Sequence, residues 1–160
     1  LGGRCKGLVL TGGATPIYVQ KPDFKAGGTE ADMAGTVAAL QADRIGLLSG
    51  LVHAVCAKEV SPAITDWMWR VFCQASPMAH VTLAQLAPLD QRAQLAALDI
   101  PILSFVGSED GFVAPDICRW VGGHNARARV VEYEGVGHAP FIEVKEEYNR
   151  DLLAFLADIA

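Results

Sequence analysis

The stretch LDIPILSFVGSEDGFVAP, residues 98–115, decides the fold. Ile102-Leu103-Ser104-Phe105-Val106 is a continuous apolar run with only the small Ser104 inside it. A short run without polar alternation is the pattern of a strand buried on both faces, as in a parallel sheet. Asp99-Ile100-Pro101 ends the preceding helical segment, Gln91 to Leu98, and Gly107 closes the strand. Downstream, Pro115 to Val121 reads as a helix, Ala128 to Tyr133 as a strand, and Gly135-Val136-Gly137 as a turn. From Ile142 the pattern is an amphipathic helix, with Val144, Tyr148, Leu152, Phe155 and Ile159 on one stripe. Strand–helix alternation predicts an α/β protein of parallel strands flanked by helices.

Upstream, Gly7-Leu8-Val9-Leu10-Thr11 is another buried strand, closed by Gly12-Gly13. Residues 14–31 are loop-like, with Pro16, Pro22 and Gly27-Gly28. Asp32 to Ala57 is helical in pattern. Ser61-Pro62 starts a second helix, carrying Ile64, Trp67, Met68, Val71 and Phe72, and Ser76-Pro77 starts a third through about Leu86. No strand pattern occurs between residues 14 and 87. The expected organisation is a core strand in 1–13, a helical cap in 14–87, and a core segment in 88–160. Such a cap lies over the carboxyl ends of the strands, where parallel sheets keep their sites.

Composition narrows the class. The 160 residues carry 13 Lys and Arg against 18 Asp and Glu, a net charge of −5, with 51% apolar and 19% charged residues. That excludes a disordered chain, and the acidic balance argues against nucleic-acid binding. The most apolar stretch, Ile45 to Ala57, is too short to cross a bilayer, and no leader pattern opens the chain. A soluble, cytoplasmic protein without membrane association is expected. Cys5, Cys56, Cys73 and Cys118 form no C-x-x-C pair and read as buried thiols. His53 and Cys56 lie one helical turn apart, too few ligands for a metal, so no metal site is expected.

Two loops carry chemistry. Gly107–Pro115 follows one strand and holds Asp110; Gly135–Phe141 follows the last strand and holds His138. Alone, Asp110 reads as an ordinary turn residue and His138 as a surface histidine. Together, at equivalent ends of consecutive strands, they form an acid–imidazole pair of the kind that prepares a general base. Phe112 and Val113 flank the acid and are candidates for the substrate pocket. So are Trp67 and Phe72, on an aromatic-rich helix with Met68 and Trp69; packing of cap on core is the alternative. Phe141 is expected to pack under the histidine turn, Glu109 to face solvent, and His80 and His124 to lie on the surface.

The runs at 98–115 and EYEGVGHAPFIEVKEEYNRDLLAFL, 132–156, resemble the C-terminal half of an α/β-hydrolase. GLVLTGG, 7–13, resembles the strand after the nucleophile helix, and 42–95 resembles the cap of small esterases, lactonases and cofactor-free haloperoxidases. The resemblance implies that Asp110 and His138 are the acid and base of a serine hydrolase. It further implies an ester, lactone or related small acyl substrate, with neither metal nor organic cofactor. The G-x-S-x-G elbow that carries the serine is absent from the 160 residues. With Leu1 in place of Met, this leads to the expectation that a missing N-terminal half supplies the nucleophile, as a second chain, a cleaved fragment or another part of the molecule. Alone, this chain is expected to be inactive. The first strand's bare edge also admits a second copy. Alternatives are a perhydrolase using peroxide, and a non-catalytic relic that still binds ligands.

Overall fold

The computed structural model describes residues 3–160; Leu1 and Gly2, and with them the expected point of severance, lie outside it. Three strands form one parallel sheet in the order β1-β2-β3, with β1 at Leu8–Thr11, β2 at Ile102–Gly107 and β3 at Ala128–Tyr133. The central strand β2 is buried at every residue, as its unbroken apolar run predicts. β1 pairs on one side only among the described residues, and all four of its residues are half-buried.

The alternation of β2 sorts its side chains between two layers. Leu103 and Phe105 meet Tyr148, Leu152, Phe155 and Ile159 of the last helix, α8 (Lys145–Ile159). Ile102 and Val106 face the opposite layer, which contains Ile117, Cys118 and Val121 of α6 (Pro115–His124). Ser104 lies on that side, where its hydroxyl donates to the Cys118 carbonyl at 2.9 Å, which removes the cost of burying it. The α/β architecture with parallel strands flanked by helices is thus as expected.

Between β1 and β2 the chain is helical: α1 (Glu30–Ala42), α2 (Arg44–Leu51), a single 3-10 turn at Val52–Ala54, α3 (Pro62–Gln74), α4 (Ala79–Ala84) and α5 (Arg92–Ala96). Several boundaries differ from expectation for local reasons. The helix expected over Asp32–Ala57 breaks at Asp43, whose side chain accepts the Gly46 N–H at 2.8 Å and starts α2. The Ser76 hydroxyl accepts from Met78 two residues on, so α4 begins only at Ala79. The expected loop at 14–31 contains single bridges, Val19 with Gly28 and Lys21 with Phe24. The final helix is preceded by a separate short turn, α7 (Pro140–Glu143), with Val144 as the break. Val52, Val55 and Met68 pack on Ala139, so the inserted helices rest on the histidine loop at the carboxyl end of β3. No described helix is long and apolar enough to cross a membrane.

Candidate active site

The acid loop leaves β2 and is stitched to the turn that leaves β3. Ser108 N–H donates to the Tyr133 carbonyl at 3.0 Å, and Glu109 N–H to the Val136 carbonyl at 2.9 Å. In return the Ser108 hydroxyl accepts Gly135 N–H at 2.8 Å. Gly107 makes the crossing possible: a Cβ there would lie 2.5 Å from the Val136 oxygen and closer still to that of Gly137.

Asp110 is buried, its side chain 2% exposed, and every donor it needs is present. Oδ1 accepts the backbone N–H groups of Phe112 at 2.8 Å and Val113 at 2.9 Å. Oδ2 accepts Nδ1–H of His138 at 2.8 Å. A carboxylate only accepts, so this bond places the proton of a neutral imidazole on Nδ1 and leaves the Nε2 lone pair as a base. The His138 backbone N–H donates to the Val55 carbonyl at 2.8 Å, which ties the turn to the inserted helices.

The end of β1 closes the pair from below. Gly12 has φ +52, and a Cβ there would lie 2.8 Å from His138 Nδ1 and 3.2 Å from Asp110 Oδ2. Only bare backbone fits at that position. The carboxylate acts on its neighbours: burial first, and then the Asp110 charge, raise the Tyr18 hydroxyl above its usual range and push the Cys118 thiol up to about 11. All four cysteines are free thiols, with Cys118 buried and the others half-buried.

His138 lines an apolar cavity of about 300 Å³ with Trp67, Met68, Phe72, Phe112 and Phe141. The Phe112 ring lies 5.1 Å from the imidazole, tilted by 31°. A second apolar cavity, of about 700 Å³, runs under Leu40, Leu48, Leu83 and Leu86 and shares Phe72 and Phe112 with the first. Three of the four expected pocket residues, Trp67, Phe72 and Phe112, therefore stand at the histidine. Val113 does not. Its side chain is buried among Val106, Ile117 and Cys118, and its contribution to the site is the backbone N–H held by Asp110. Phe141, expected beneath the turn, is half exposed and lines the cavity instead. Its place directly after Pro140, at the first turn of α7, was the available signal. Glu143, at the end of α7, was not singled out from sequence, yet its carboxylate accepts the Gly137 N–H at 2.9 Å.

No protein-family model matches the chain. An AB hydrolase superfamily protein of Bacillus subtilis (strain 168) is 27% identical over 150 residues, covering 92% of this chain and 56% of that protein. A pimeloyl-(acyl-carrier protein) methyl ester esterase of Nitrosomonas europaea is also 27% identical over 150 residues, covering 91% of this chain and 59% of that protein. Among solved structures, an esterase from Exiguobacterium antarcticum superposes with TM-score 0.89 at 22% identity, over 95% of this chain and 57% of that one. A bromoperoxidase from Bacillus anthracis gives 0.87 at 21%, over 95% and 58%. The chain has the α/β-hydrolase fold and is similar in sequence to proteins of that kind, and it spans a little over half the length of the curated relatives it matches.

Proposed function

We propose that these residues form the acid, the base and the substrate-binding cap of a serine hydrolase that cleaves small carboxylic esters, lactones or related acyl compounds. The observation that carries this is the Asp110–His138 hydrogen bond of 2.8 Å beside an apolar cavity. His138 Nε2 takes the proton of a serine hydroxyl as its oxygen bonds to the acyl carbon. It returns that proton to the leaving alcohol oxygen as the tetrahedral intermediate collapses. Water then repeats the sequence on the acyl-enzyme. Asp110 holds the tautomer and stabilises the imidazolium that forms at each transfer. The cavity keeps water from the apolar part of the substrate. The name of one relative makes methyl esters the first substrates to try.

The serine lies outside these 160 residues in this proposal, because no G-x-S-x-G occurs within them. The free edge of β1 is where the strand carrying it pairs, as a second chain, a cleaved fragment or another part of the same polypeptide. Among the described residues β1 pairs on one side only and its side chains are half-buried, which supports that docking edge. Intact mass and N-terminal sequencing of the native material identify the source. A fluorophosphonate probe tests the chemistry. Serine labelling that disappears in His138→Ala is the expected result. Absence of labelling and of ester turnover in the native protein, with apolar ligands still bound, would refute it in favour of a non-catalytic binding relic.

A further inference from the structure

We propose that Glu143 is a positioning residue for His138, fastening the histidine turn to the segment at residues 55–58 so that base and cap entrance move as one body. The proposal rests on the reading of His138 as the general base.

The carboxylate of Glu143 is spent on main-chain donors from two distant segments. Oε2 accepts the N–H groups of Ala57 and Lys58, each at 2.8 Å. Oε1 accepts Gly137 N–H at 2.9 Å, with Oε2 at 3.1 Å from the same donor. Each is a charge-assisted bond, stronger than one between neutral groups. The next residue completes the seam, since His138 N–H donates to the Val55 carbonyl at 2.8 Å. The two backbones touch: a Cβ on Gly137 would lie 2.6 Å from Ala57 N and 2.9 Å from the Val55 oxygen. Glu143 is itself fixed by α7, whose N–H bonds from Ile142 and Glu143 return to the Ala139 carbonyl at 2.8 and 3.0 Å. The same charge is felt next door, where burial first and then Glu143 push the Cys56 thiol up to about 11.

The seam determines where the imidazole sits. His138 follows Gly137 directly, so any shift of Gly137 is passed to the ring and opens the 2.8 Å bond to Asp110. A displacement of about 1 Å at a catalytic group is enough to cost roughly a hundredfold in rate. A glutamine at 143 has one acceptor oxygen, and its NH₂ would meet an N–H group. With its oxygen on Ala57 and Lys58, that NH₂ stands where Oε1 was, 2.9 Å from Gly137 N, and the two donors repel; with its oxygen on Gly137 instead, the NH₂ faces Ala57 and Lys58, so one segment is pushed away in either orientation.

The experiment compares Glu143→Gln, Glu143→Asp and Glu146→Gln in the full natural protein. Glu146 is exposed, with 76% of its side chain accessible, and serves as the control. Three quantities are read: hydrogen exchange of the Gly137, Ala57 and Lys58 amides; the low-field proton resonance of His138 Nδ1–H; and kcat and KM on an ester. Expected in E143Q are lost protection at one of the two segments, a broadened or absent Nδ1–H resonance, and kcat down by roughly ten- to a hundredfold with KM little changed. E143D keeps the charge and restores part of each, and E146Q changes nothing. Lost protection with the Nδ1–H resonance intact would make Glu143 a scaffold only and overturn the proposal; so would full protection in E143Q. If E143Q does not fold, E143D decides by the same comparison. The Nδ1–H response needs no turnover. A native protein that shows it without cleaving esters therefore keeps the positioning role and loses the esterase reading.

Discussion

Replacing Gly107 with alanine puts a methyl group where the histidine turn already lies. The new carbon would stand 2.5 Å from the Val136 oxygen, 2.9 Å from the Gly137 carbonyl carbon, and nearest of all to the Gly137 oxygen. An ordinary carbon–oxygen contact is about 3.3 Å, so one partner retreats by at least about 0.8 Å. The turn yields rather than the strand, because β2 is held in a continuous ladder, to β1 through Phe105 and to β3 through Gly107, whereas the turn is held by isolated bonds to Ser108, Glu109, Val55 and Glu143. Retreat strains or breaks the bond from Glu109 N–H to the Val136 carbonyl and stretches the His138–Asp110 bond beyond its 2.8 Å. Overpacking of about 1–3 kcal/mol and one or two lost hydrogen bonds of about 1 kcal/mol each sum to roughly 3 kcal/mol. For a folding unit of about 150–250 residues that lowers Tm by roughly 6–12 °C. Displacement of the base costs roughly a hundredfold or more in kcat/KM. Gly111 provides the internal control: it lies in the same loop with no atom within 4 Å of its built Cβ. Gly111→Ala is expected to stay within about 0.5 kcal/mol of the parent. Urea denaturation and ester hydrolysis measure both variants in the natural protein. A Gly107→Ala protein with the parent's midpoint and rate would show that the two loops do not cross as described.

Asp110→Asn keeps the shape but offers an NH₂ to His138, favouring the wrong imidazole tautomer; kcat is expected to fall by about 10⁴, measured on any ester the parent hydrolyses. A loss under tenfold would remove Asp110 from the mechanism. Phe72→Ala truncates a side chain that lines both apolar cavities and is expected to open one to the other, so the ratio of kcat/KM for long over short acyl chains should rise at least tenfold; an unchanged ratio would mean the larger cavity does not receive the acyl group. The Cys56 thiol, pushed up to about 11 from 9.0, has a thiolate fraction at pH 8 of about 10⁻³ rather than about 10⁻¹. Its alkylation is therefore about a hundredfold slower than that of an ordinary thiol and accelerates towards pH 11, which peptide mass spectrometry follows; alkylation at the ordinary rate would contradict its burial beside Glu143.

What the sequence disclosed follows from the range of the forces involved. β2 was legible because a strand buried on both faces needs apolar residues at every position, a local property of Ile102–Val106. The loop positions of Asp110 and His138 followed from the same topology, since parallel strands deliver their ends to one edge. Ser76 misled because a short polar side chain next to a helix can either cap it or end it, and the break at Asp43 was hidden inside an apolar pattern that runs on through it; their partners, Met78 and Gly46, are ordinary backbone. Val113 was placed in the pocket because it flanks the acid, but neighbours in a tight loop point in opposite directions. Glu143 was invisible for a different reason. Its partners are amides of residues 57, 58 and 137, which carry no side-chain signature, and the first two are more than eighty positions away.

The position of the imidazole bears on where a nucleophile can stand. His138 comes from the loop after β3, yet its ring rests against Gly12 at the end of β1, two strands away. The histidine turn thus reaches back over the carboxyl end of β2 and past the acid it binds. A strand paired to the free edge of β1 would lie about 4.8 Å further on. A serine at its carboxyl end reaches roughly 2.5 Å from its own backbone, and a hydrogen bond to Nε2 spans roughly 2.8 Å. Those lengths together cover the gap. A strand added instead outside β3 would leave its serine about three strand spacings from the ring, beyond the reach of any side chain. On the proposed function, a serine on a strand at the β1 edge would therefore stand within reach of His138, and one on a strand outside β3 would not.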